Sequence, residues 1–271
     1  MSSSVTDSST VTPSNSSSMH EKWTYLLPGI NRVFQTAAAG QTVSYADIYL
    51  PCYTEIYRFL TSPPNDNPQT NRHHSALYMY TSLDHYFACM ALEYRKSHTA
   101  KDVTVAEEIQ HIISSSTGFS NGANMIDRLF TYLNRHWIKN NMAAESSDSE
   151  SLSKWGYDLS TGEGRMKATW CARVANPSSI IPVYSLALRR FRTEFGEPLF
   201  NSGEFSKRVH DVVGGTVIQD EGTIRKLWEI CSDISVEPSH PVPQKLGLFL
   251  KKSSEAKGQS VDMTMVEEVF Q

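Results

Sequence analysis

Residues 44–62, SYADIYLPCYTEIYRFLTS, decide how this chain folds. Tyr45, Ile48, Tyr49, Cys52, Tyr53, Ile56, Tyr57 and Leu60 recur at spacings of three and four, which is one face of a helix. Ser44 stands at the N-cap position with Asp47 three residues on. Tyr45, Tyr49, Tyr53 and Tyr57 lie four apart, so their rings form one helical stripe with Ile48, Cys52 and Ile56 beside them. A tyrosine contributes apolar ring area while its hydroxyl needs water or a partner. An aligned row therefore suits a protein-binding surface as well as the core of a bundle, and the pattern alone leaves both open.

The same periodicity extends in both directions. Trp23, Leu26, Leu27, Ile30, Val33 and Phe34 mark a preceding helix that Pro28 should kink or delimit. Residues 61–74, with Pro63, Pro64 and Pro68, read as a loop or short linker. A helix is then expected from about Ala76 to Lys96. Another begins at Thr104 with Glu107 as a capping box, breaks over Ser114 to Asn121, and resumes through Trp137. Further helices are expected over 181–195, 205–213 and 223–234, with at most a short extended piece at 216–219. Residues 142–179 are rich in Ser, Gly and charge and read as a long inserted loop.

The expected architecture is all-α, with one helical domain over residues 19–235. A disordered tail is expected at 1–18, where nine Ser and three Thr accompany no aromatic residue, and a Pro-containing linker with a short tail at 236–271.

Composition excludes several functions. The 271 residues carry a net charge of -4, without the basic excess expected of a nucleic-acid or anionic-membrane binder. Cys52, Cys89, Cys171 and Cys231 form no CxxC pair, which fits neither a zinc site nor a dense disulfide framework and points to reduced thiols in the cytoplasm or nucleus. No apolar run approaches the ~18 residues of a membrane span, and no secretory signal opens the chain. The nine histidines show no HExxH or HxH spacing, and GxSxG is absent. The residues point to no active site, metal or cofactor. Besides the tyrosines, YLNRHWIK (132–139) interleaves polar and aromatic residues at a helix end, with Arg135 and His136 outward.

At these residues the chain resembles the cullin family, specifically the first amino-terminal repeat of its SCF-type members. The resemblance is carried by WTYLLPGINRVF (23–34), YLPCYTEIYRFLTS (49–62), GANMIDRLFTYLNRHWIK (122–139) and IIPVYSLALRRFR (180–192), and spans about residues 23–237. It implies a cullin-repeat-like helical bundle acting as a non-catalytic scaffold in ubiquitin-dependent protein degradation, one that grips an SCF-type adaptor carrying an F-box receptor. The family's adaptor-binding pattern falls on Tyr49, Cys52, Tyr53, Ile56 and Tyr57, followed by Thr61 and Ser62. A second edge falls on EEIQHIISS (107–115), with Ile109 and Ile112 as contacts.

The chain also departs from the family. Pro51 enters the adaptor-binding helix, where the first turn tolerates it. The 142–179 segment stands in place of a short connection, and EEIQHIISSST lacks the aromatic residues usual in that helix. No counterpart of the RING-binding, modifier-accepting end is recognisable. The resemblance thus implies a truncated scaffold that takes an adaptor and no RING subunit; the alternative is a vestigial or purely structural helical protein.

Overall fold

The computed structural model describes residues 12–13, 17–61, 68–97, 104–142, 149–213 and 221–256. Among them the fold is all-α, with no strand and no helix long and apolar enough to cross a membrane. The helices are α1 (Met19–Ala38), α2 (Leu50–Thr61), α3 (Pro68–Ser97), α4 (Val105–Leu129), α5 (Thr131–Leu133), α6 (Lys139–Asn141) and α7 (Ser149–Ser153). There follow α8 (Gly162–Ala175), α9 (Val183–Phe191), α10 (Glu197–Phe200), α11 (Gly203–Val213), α12 (Glu221–Asp233) and α13 (Pro241–Ala256). Widened π-helical turns lead into α2 at Tyr45–Tyr49, into α6 at Asn134–Ile138 and into α10 at Arg192–Gly196.

Helix α1 presents Leu26, Ile30, Val33, Phe34 and Ala37 to the interior and lies along α4. Helix α9 packs between α3 and α4, and α12 and α13 close the far side. An aromatic column runs through the middle: Phe34 meets Phe119 at 5.6 Å between ring centroids, Phe119 meets Phe191 at 4.7 Å, and Phe191 meets Phe195 at 4.5 Å. Burying a side chain of this size contributes roughly 1.5–3 kcal/mol, so this column is a main source of the bundle's cohesion.

Two capping boxes anchor helix starts. The Ser18 hydroxyl accepts from the Glu21 N–H while Glu21 accepts from the Ser18 N–H, and Thr104 with Glu107 repeats the arrangement at α4, as expected from sequence. The first strongly buried cross-link is polar: the Tyr80 hydroxyl donates to the Ile181 carbonyl and accepts from its N–H, pinning the extended chain that enters α9 to α3.

Several expectations are corrected. Helix α1 continues through Pro28, which sits on its exposed side and does not delimit the helix. Helix α4 is unbroken over residues 114–121: Ser115, Gly118 and Phe119 are buried there, so tertiary packing overrides a stretch of weak helix propensity, and Ser114 and Thr117 return their hydroxyls to carbonyls within the helix. Helix α3 begins at Pro68, earlier than the polar composition suggested, with proline in the first turn where no N–H is needed. Residues 142–179 hold α7 and α8 rather than a bare loop. There Leu152, Trp155 and Ala168 build a small core of their own, and Gly164 lets α8 begin where an added Cβ would lie 2.0 Å from the Asp158 carbonyl oxygen. Residues 241–256 form a helix that buries Val242, Leu246 and Leu250 in the main core. Pro241 and Pro243 sit in its first turn, and His240 accepts from the Val242 N–H there.

Of the expected tail, Ser18 caps α1 and the Pro13 carbonyl accepts from Arg58 at 3.1 Å. Residues 1–11 and 14–16, the 216–219 piece and residues 257–271 lie outside the described residues.

Candidate functional site

The tyrosine row stands on the surface. Tyr45, Tyr49, Tyr53 and Tyr57 stack in succession, with ring centroids 5.7, 6.1 and 6.4 Å apart. Tyr45 and Tyr57 are 66% and 45% exposed, and Tyr49 and Tyr53 are half-buried. Leu50 beside them is 41% exposed, an aliphatic addition to an aromatic strip.

The local sequence explains how the row is made. Ser44 accepts from the Asp47 N–H and donates to the Asp47 carboxylate at 2.6 Å, which starts the helix. The next turn is one residue wider than an α-turn, with the Leu50 N–H donating to the Tyr45 carbonyl. Pro51, which cannot donate and would crowd the preceding turn, follows directly. The widened turn gives it room and carries Tyr45 into line with the rings that follow.

The row continues beyond α2. Tyr57 meets Tyr132 edge-on at 5.1 Å, and Tyr132 lies 4.4 Å from the His136 ring, so six rings from two separate stretches share one surface. The Tyr49 hydroxyl donates to the Arg128 carbonyl at 3.0 Å, tying the row to the end of α4. Burial, reinforced by Tyr53 and Tyr45 alongside, holds the Tyr49 phenol above its ordinary pKa, so it stays a neutral donor.

The turn that supplies Tyr132 and His136 is fixed from behind. Asn134 donates to the Asp127 carboxylate at 2.9 Å and accepts from the Val183 N–H at 3.1 Å, while the Asp127 carboxylate accepts from the Tyr184 N–H at 2.9 Å. Helix α9 has no side-chain cap of its own, and these two residues from α4 and the following turn cap it instead. The YLNRHW and VYSLAL segments are thus one structural unit.

The seven residues singled out from sequence divide sharply. Tyr49, Tyr53 and Tyr57 reach the surface. Cys52 and Ile56 point inward into the core, and burial pushes the Cys52 thiol up to about 12. Ile109 and Ile112 are fully buried and present nothing to a partner, which corrects their assignment as contacts: both lie on the inward face of the amphipathic α4. Trp137 is core, donating its indole N–H to His73. Tyr45, Tyr132 and His136 extend the row beyond these seven; the four-residue spacing is the signal that joins Tyr45 to Tyr49 and Tyr132 to His136. Among the described residues no cluster of three metal-ligating side chains occurs.

Four stacked phenols with adjoining leucine, tyrosine and histidine offer a partner ring faces and hydroxyls on rigid helices. Such residues form the centres of protein interfaces, each ring able to bury ~150–250 Å². Compared with proteins of known identity, the chain is 28% identical over 131 residues to Cullin-1 of Schizosaccharomyces pombe (strain 972 / ATCC 24843), a match covering 45% of this chain. The likeness is cullin-like. It extends over 16% of that relative's length, and no family model and no solved structure matches this chain.

Proposed function

We propose that this chain is a non-catalytic, cullin-like scaffold that binds an SCF-type substrate-receptor adaptor through the tyrosine row. The observation that carries the reading is the exposure of Tyr49, Tyr53 and Tyr57 as one stacked strip at the positions where the family resemblance puts the adaptor surface. The strip is aromatic and rigid, as an interface centre should be, and its partner would be another protein of the ubiquitin-dependent degradation machinery. Because Ile109 and Ile112 are buried, the anchoring falls on α2 and on the Tyr132–His136 turn beside it.

Calorimetric titration with a purified SCF-type adaptor, alone and bound to an F-box protein, tests the reading. Binding is expected at tens of micromolar or tighter, about 6 kcal/mol or more. Tyr53→Ala and Tyr57→Ala should each weaken it by about 2 kcal/mol as central anchors. Absence of binding in that range rejects the function; binding indifferent to both substitutions rejects the residue assignment.

A further inference from the structure

The other unusual surface lies at α8, α12 and the start of α13, and shares no residue with the tyrosine row. Trp155, Tyr157, Trp228, Val236 and Pro243 line a narrow cleft of about 50 Å³. That volume admits a few water-sized groups, the size of a branched aliphatic side chain rather than an aromatic ring. Trp155 is 2% exposed, and its indole N–H is buried without a hydrogen-bond acceptor. A buried donor in that condition is a standing cost that an incoming carbonyl would remove.

The cleft opens into a wider groove of about 830 Å³, with Tyr157, Cys171, Ser232 and Ser235 common to both. On the groove wall α8 exposes Met166 and Trp170, one turn apart, at 66% and 38%. Arg165, Lys167 and Arg173 line it with Asp233, Lys167 being paired with Glu163 at 2.8 Å and Arg165 donating to the Leu159 carbonyl at 3.2 Å. The rim is held in shape: Ser235 adopts φ 56°, a left-handed conformation unusual for a residue other than glycine, and Arg192 donates to its carbonyl at 3.0 Å.

We propose that this groove docks a linear peptide segment of a partner protein, one that inserts a branched aliphatic side chain between Trp155 and Trp228 and carries acidic residues on either side. The backbone carbonyl beside the anchor accepts from the Trp155 indole. Its aliphatic side chain fills the cleft, and the flanking carboxylates meet the basic wall at Arg165 and Arg173, away from Asp233.

The test is fluorescence anisotropy of a fluorescein-labelled peptide of sequence GEELDEG titrated with the whole chain. Binding is expected, at least about tenfold weaker when the peptide's leucine becomes alanine, and weakened by salt. Trp155→Phe should lower affinity about tenfold with the circular dichroism spectrum and melting temperature retained. If that variant is unstable, Arg165→Glu on the exposed wall must reduce binding by itself. No anisotropy change up to about 1 mM protein, or binding indifferent to the leucine, overturns the proposal. So does sedimentation as a dimer that Trp155→Phe dissolves, since the occupant would then be a second copy. None of these readouts involves the adaptor, so this inference and the proposed function fail separately.

Discussion

Removing Asp127 or Asn134 is expected to loosen the whole bundle, although neither residue belongs to the apolar core. Asp127→Ala deletes a charged acceptor from the Tyr184 N–H, 2.9 Å away. A bond of that kind contributes about 1.5–3 kcal/mol, and a carboxylate at a helix N-terminus adds roughly 0.3–1 kcal/mol. Both residues are partly exposed, so about 2 kcal/mol is the expected loss. Asn134→Ala takes the acceptor from the N–H of Val183, itself fully buried, and an unsatisfied buried N–H costs about 1–3 kcal/mol. The two side chains also bond each other at 2.9 Å, so the first deletion already removes part of what the second would cost. The double variant should fall short of the sum by about 1 kcal/mol. Urea unfolding followed by circular dichroism, with a common slope across the four proteins, measures the cycle. A single-variant loss below about 0.5 kcal/mol, the level of an ordinary surface change, or strict additivity would refute the cap.

Three more outcomes follow from single sites. Gly122→Ala sets a methyl group 2.7 Å from the Phe34 ring and should cost about 1–3 kcal/mol by overpacking, whereas Gly162→Ala, with open space around it, should be neutral; thermal melts compare them. In the native protein, thiol titration should find exposed Cys89 reacting first, and Cys52 and Cys231, pushed up to about 12 by burial, reacting only on unfolding. Hydrogen bonds from the Thr104 hydroxyl and N–H hold the Glu107 carboxyl below its ordinary pKa. Its stabilising contribution is therefore complete above the unfolded carboxylate range and lost as pH falls through the depressed folded value. Thr104→Ala should flatten that acid limb in pH-dependent hydrogen exchange of α4.

Helices with strongly apolar faces were legible because periodicity and caps are local signals: α1, α2, the start of α4 and the Ser44 N-cap all stand where spacing put them. What was not legible depended on partners distant in sequence. Helix α8 buries Gly164, Ala168 and Val174, so no large-residue stripe announces it, and its support comes from Leu152 and Trp155 outside the helix. Helix α13 was hidden by prolines that its first turn accepts. At the site, the row of tyrosines was visible as spacing, but which residues face water was not. A stripe four residues wide in pitch and an adjacent stripe of Cys52 and Ile56 look equally apolar on paper, and packing against α1 and α3 decides between them. The step from Tyr57 to Tyr132 bridges 75 residues and has no local trace.

The widened turn at Tyr45–Tyr49 sets the phase of the aromatic ladder. An α-helix advances about 100° per residue, so side chains four apart drift about 40° around the axis with each step; a turn holding one extra residue takes up that drift once, at the start of the row. One further residue inserted beside Ala46 would swing Tyr45 by about a quarter of a revolution away from Tyr49, with no ring removed and no core residue touched. Length at this point therefore carries information as strictly as residue identity does. A chain that kept all four tyrosines but gained one spacer there would keep the composition of the strip and lose its continuity.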